Sequence, residues 1–83
     1  MVELTTCGLL SDLLTSVSGA SHYYLEGRIP YHQKAKVMLG IEESWLKREG
    51  PGTVSREVAL ALATEIKNVS KSDIGLAETG LLT

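Results

Sequence analysis

A single cysteine in eighty-three residues cannot close an internal disulfide, so Cys7 points to a reducing compartment. No apolar run approaches the roughly 18 residues that a bilayer crossing takes, and no charged start leads into a signal-like stretch. These absences predict a cytoplasmic chain with no membrane partner. A surplus of positive charge is also missing. Eight basic residues face ten acidic ones, a net charge of −2, which argues against a nucleic-acid partner. His22 and His32 have no second Cys/His pair near them, so no metal site is expected. Neither GxxxxGK[ST] nor GxGxxG occurs, and Gly50-Pro51-Gly52 is too short and stiff to cradle phosphates, so no cofactor motif is present. Repeats, linkers and charge blocks are lacking too, and residues 1–83 read as one domain.

What remains is ordinary globular composition, 43% hydrophobic and 22% charged. Leu9, Leu10, Leu13, Leu14 and Val17 recur at helical spacing, so a helix is expected over 8–17, capped by Thr5 or Thr6. Ser18-Gly19-Ala20-Ser21 breaks it. The adjacent tyrosines, Leu25 and Ile29 favour a strand within 23–31 that Pro30 ends or confines to an edge. A short helix over 32–39 stops at Gly40, with Ala35, Met38 and Leu39 on one side. Ile41, Trp45 and Leu46 suggest another over 42–49, with Trp45 in the core. The clearest helix runs from a Thr53 or Ser55 cap to about Val69, with Val58, Leu62 and Ile66 in register. Residues 73–79 suit a strand covered on both faces.

That order predicts an α/β fold: a small helix-rich domain with a short parallel sheet made by 23–31 and 73–79. Two short strands make a weak sheet, and Ile74-Gly75-Leu76-Ala77 has no proline or lysine to guard its edge. A homodimer in which 73–79 pair across a two-fold axis, or are covered by a partner helix, is the expected remedy, and a monomer whose helices wrap the pair is the alternative. Replacing Leu9 or Leu13 with aspartate should then prevent folding, since both are expected in the core.

Few residues suggest chemistry on their own. Glu42 and Glu43 point in different directions on a helix and read as charges favourable to its start. Cys7 beside Gly8 sits at an expected helix N-terminus, where a thiolate is stabilised, but no histidine is near in sequence to serve as its base.

Six ordered segments carry more. Glu3-Leu4-Thr5-Thr6-Cys7-Gly8-Leu9-Leu10, Ser18-Gly19-Ala20-Ser21, Tyr31-His32-Gln33-Lys34-Ala35-Lys36, Leu39-Gly40-Ile41, Gly52 through Ala59 and Asp73 through Gly80 follow one another at family-like spacing. Together they resemble the C-terminal domain of the competence/damage-inducible protein CinA, the nicotinamide-nucleotide amidase family. Its pattern runs ESCTGGLL, PGSS, YSNEAK, LLGV, GAVSEEVA and AD-x-G-x-A-x-TGIAGP. The resemblance implies an α/β/α sandwich and, for active members, hydrolysis of the carboxamide of nicotinamide mononucleotide. The serine of ESCTGG would be the nucleophile, with the lysine of YSNEAK assisting it. A helix N-terminus would offer its amides to a phosphate or oxyanion.

The departures shape the expectation. In ungapped register Leu4 falls on the nucleophilic serine, Cys7 on the first glycine and Gly8 on the second. Tyr31 and Lys36 match the second motif, while His32, Gln33 and Lys34 replace its Ser-Asn-Glu. Thr79-Gly80 matches TG, and Leu81-Leu82-Thr83 replaces IAGP. Against the family pattern, about half of the domain then lies outside this chain, which reads as a fragment-like version of the sandwich. The resulting expectation is a catalytically inactive relative that keeps a binding or interaction role, with a pyridine nucleotide as ligand. Thr6, Gly8, Tyr31, Lys36, Thr79 and Gly80 would form the remnant site. The alternatives are weak amidohydrolysis by Thr6 or Cys7 with Lys36, and a structural subunit completing a partner's sheet. With the serine gone, Lys36 reads as a solvated helix lysine, and Glu78 as a solvated residue near a strand end.

Overall fold

The computed structural model describes residues 1–47 and 50–81. Strand β1 (Val2–Glu3) comes first, followed by helix α1 (Leu9–Leu14), helix α2 (Gln33–Leu39), helix α3 (Arg56–Ser70) and strand β2 (Ala77–Glu78). The two strands pair in parallel, Val2 opposite Ala77 and Glu3 opposite Glu78. The architecture is therefore a small α/β unit, as the element pattern predicts, but its sheet is built from different segments.

β1 is the segment the periodicity missed, because two residues are too few to show alternation. It is held from both sides. On one, Val2 N–H donates to Leu76 O and Leu4 N–H to Glu78 O. On the other, Glu3 N–H donates to Arg28 O and Arg28 N–H to Met1 O. The expected strand over 23–31 thus shrinks to a single bridge at Arg28. A 3-10 turn over Ala20–His22 comes just before it, and that turn's first carbonyl takes the amides of both Tyr23 and Tyr24, so neither is free for a ladder. The strand expected over 73–79 is likewise limited to two paired residues. It is half-buried rather than covered on both faces, since of the helices only α3 packs closely on it.

α3 anchors the core. The Ser55 hydroxyl caps it by accepting from Val58 N–H, and Glu57 in the first turn complements the helix dipole. Val58, Leu62 and Ile66 fall one turn apart and are fully buried against Val2, Leu4, Leu39, Ile41 and Leu46. Contact between α3 and the strand segment is so close that a Cβ on Gly75 would sit 2.1 Å from the Ala63 carbonyl oxygen.

Two expectations about the core are overturned. α1 spans six residues and buries none of them; Leu9 is 54% and Leu13 58% exposed. The helical period is correct, but α1 packs closely against no other helix or strand among the described residues, so its apolar stripe has no cover there. Gly8, not Thr5 or Thr6, stands at its N-cap. Trp45 is 36% exposed because residues Glu43–Leu46 wind as a 3-10 turn, whose tighter period turns Leu46 inward instead. Residues 48 and 49 of the helix expected there, like 82 and 83, lie outside the described residues. Met38 is exposed as well. The inward face of α2 is made by Lys36 and Leu39.

Candidate functional site

The two parallel strands end side by side, and the chain leaving each one lines a common cavity. Leu4 and Thr5 follow β1; Thr79, Gly80 and Leu81 follow β2; Tyr31 and Lys36 come from α2 and its approach, and Thr53 and Val54 from the approach to α3. The cavity measures about 340 Å3, at the small end of the ~300–1,000 Å3 typical of small-molecule sites. Its position beyond the carboxyl ends of parallel strands is where open α/β sheets place ligands. A second cleft of about 290 Å3, lined by Tyr23, Tyr24, Ile74 and Leu76 among others, and a third of about 300 Å3, lined by Arg28 and Met38 among others, include none of the residues that follow the strands' carboxyl ends. We therefore take the first as the site.

Lys36 is its one cationic side chain among the described residues. α2 begins where His32 Nδ1 accepts from Lys34 N–H, and that start puts Lys36 one turn inside the helix, on the face shared with Leu39. Lys36 is only 3% exposed, and its Nζ donates to the Tyr31 carbonyl oxygen at 2.5 Å. No carboxylate pairs with it among the described residues. Burial without a counter-charge pushes its pKa below the ordinary lysine value. The reading of Lys36 as a solvated helix lysine is thus overturned, because Lys36 lies on the inward face of α2.

Near Lys36 the cavity offers hydroxyls in two conditions. Thr79 Oγ1 donates to Thr53 O at 2.9 Å, which ties the end of β2 to the approach of α3. Thr5 Oγ1 is buried beside the Glu78 carboxylate and helps to hold its charge. Gly80 permits its position, since a Cβ there would lie 2.7 Å from that hydroxyl.

A pair of carboxylates shapes the loop between β1 and α1. Glu3 is 1% exposed and accepts from the Leu10 and Ser11 amides and from the Thr6 hydroxyl. Burial opposes its charge, but hydrogen bonds from Ser11, Thr6 and Leu10 more than offset it, holding its pKa at about 2. Glu78 Oε1 accepts from the Leu4 and Thr6 amides and the Thr6 hydroxyl. Burial raises its pKa, but these bonds, with the Thr5 hydroxyl, together more than offset it, for a net fall. Glu78 is consequently a fixed internal acceptor, not a solvated strand end. The signal for both lay in the sequence as acidic residues inside short apolar segments.

Of the residues singled out from sequence, Tyr31, Lys36, Thr79 and Gly80 meet at the cavity, together with Leu4. Thr6, Cys7 and Gly8 are not on its wall. The Thr6 hydroxyl is engaged by the two glutamates, and Cys7 is exposed, its Sγ donating to Leu4 O at 3.1 Å. The first amides of α1, which the resemblance assigns to a phosphate or oxyanion, are taken by Glu3. Thr5 and Thr53 are wall residues that sequence reasoning passed over. No group of three or more metal-ligating side chains occurs among the described residues.

A parallel β pair, a covering helix layer and a lysine-walled cavity at the strand ends define a small α/β domain. The chain belongs to the CinA C-terminal domain family, whose model matches residues 1–82. It is 40% identical over 82 residues to a CinA-like protein of Geotalea daltonii, covering 98% of this chain and 19% of that protein. A CinA-like protein of Koribacter versatilis is 40% identical over 81 residues, with the same coverage. A protein of Moorella thermoacetica named as competence-damage inducible is 39% identical over 82 residues, again 98% of this chain and 19% of its own length. The chain thus spans about a fifth of the relatives it matches. No solved structure matches significantly. No helix among the described residues is long and apolar enough to cross a membrane.

Proposed function

We propose that this chain binds a pyridine nucleotide in the Lys36 cavity without hydrolysing its carboxamide. The observation that carries the reading is Leu4. It stands where the resemblance puts the amidase nucleophile, and it lies on the wall of the cavity that Lys36 lines. A hydrocarbon side chain cannot attack a carbonyl carbon, and without a nucleophile the neighbouring lysine has no proton to accept from it. The substitutes weighed from sequence, Thr6 and Cys7, are turned away from the cavity by the contacts described above.

Binding needs less. Lys36 has N–H groups left over after its bond to Tyr31 O, and an enclosed ammonium makes charge-assisted hydrogen bonds to a carbonyl or phosphate oxygen. Calorimetric titration with nicotinamide mononucleotide tests the reading. Saturable one-to-one binding is expected, weakened about tenfold or more by Lys36→Met, the scale of a lost charged hydrogen bond. Absence of binding to the folded wild-type chain would refute it.

A further inference from the structure

Lys36 carries a second consequence, one that depends on the cavity alone and not on the nucleotide reading. We propose that Lys36 is a nucleophilic amine that captures small aldehydes as imines within the cavity. Three observations support this. The side chain is almost wholly buried and yet lines a cavity of about 340 Å3, so a small reactant has room beside it. Its side chain's only hydrogen bond among the described residues is to the Tyr31 carbonyl, which orients the nitrogen without neutralising an ammonium charge. No carboxylate among the described residues lies within ion-pair distance, in contrast to Lys47, which faces Glu43 at 3.8 Å.

An amine in such surroundings spends more of its time uncharged, since burial lowers its pKa. The uncharged form has the electron pair needed for attack. The nitrogen pair forms a C–N bond to the aldehyde carbon, and the carbonyl π electrons move to oxygen, which takes the proton lost by nitrogen. Loss of that hydroxyl, with the remaining nitrogen proton, releases water and leaves a C=N bond. No oxidant or reductant is needed. Leu4 on the same wall brings no hydroxyl to compete for the carbonyl carbon, and its apolar side chain favours dehydration over hydrolysis.

The experiment uses the wild-type chain, propanal as the aldehyde and cyanoborohydride to fix any imine, at pH 7, with peptide mapping of the five lysines. Propanal has no pyridine ring or phosphate, so its outcome is separate from that of the nucleotide titration. Lys36 is expected to be propylated about fivefold faster or more than each of Lys34, Lys47, Lys67 and Lys71, and to lose that lead in denaturant. All four competitors are exposed, so accessibility alone would make Lys36 the slowest. A smaller lead for Lys36, or a lead that survives unfolding, would overturn the proposal.

Discussion

Glu3 and Glu78 are register partners across the parallel strand pair, and both approach one hydroxyl, that of Thr6, at 2.6 and 2.7 Å. A threonine hydroxyl has a single proton, so it satisfies one carboxylate at a time. The backbone amides of Leu4, Thr6, Leu10 and Ser11 make up the difference. This cluster fixes the loop that delivers Leu4 and Thr5 to the cavity.

Both carboxyl groups have folded pKa values below their unfolded ones, Glu3 falling from 4.5 to about 2. Their stabilisation is therefore complete above pH 4.5 and is lost as pH falls toward 2. For Glu3 alone the loss is of order 3 kcal/mol. Urea unfolding at pH 7 and pH 3 checks this, with a markedly lower midpoint expected at pH 3. Thr6→Val keeps the shape and removes the hydroxyl. It should cost about 1–2 kcal/mol at pH 7. Equal midpoints at the two pH values would contradict the cluster's role.

Cys7 adopts φ 47°, a left-handed conformation in which a side chain is strained. The family motif has glycine at the matching position. Cys7→Gly should raise stability by about 0.5–1 kcal/mol, since relief of the strain exceeds the extra unfolded-state entropy. Thermal unfolding of the two proteins tests this, and a lower midpoint for the glycine variant would count against it.

Gly75→Ala addresses the seat of α3 on the strand segment. The new Cβ would meet the Ala63 carbonyl oxygen at 2.1 Å, and backbone must move to admit it. A loss of about 1–3 kcal/mol is expected from such overpacking. An unchanged unfolding midpoint would show that α3 does not press on the strand this closely.

Sequence made α3 readable because Ser55 and the Val58, Leu62, Ile66 series each agree with the helix, and burial follows the same stripe. The parallel sheet was legible as a class but not in its parts. β1 is two residues long, and what defines it is pairing with Leu76 and Glu78 on one side and Arg28 on the other, none of them a neighbour in sequence. α1 shows the opposite failure. Its leucine spacing is helical, but whether a stripe is buried depends on what packs over it, and periodicity carries no such information. Aspartate at Leu9 or Leu13 is therefore expected to leave the domain folded. Half of the site was legible through the Tyr31, Lys36 and Thr79-Gly80 motif matches, while the burial of Lys36 and the placement of Thr5 depend on the three-dimensional wall.

Self-association is proposed along β2. The strand pairs on only one side among the described residues, and exposed Leu76 lies next to it. Sedimentation at micromolar concentration should give a dimer that Leu76→Lys dissociates. A monomeric wild-type chain would rule it out.

Ammonia release from nicotinamide mononucleotide tests the central claim most directly. At ligand concentrations that saturate the Lys36 cavity by calorimetry, the account predicts bound nucleotide and no ammonia above a no-protein blank, for the wild type and for Thr6→Val and Cys7→Ala alike. Steady ammonia release by the wild type, abolished by Lys36→Met, would contradict it.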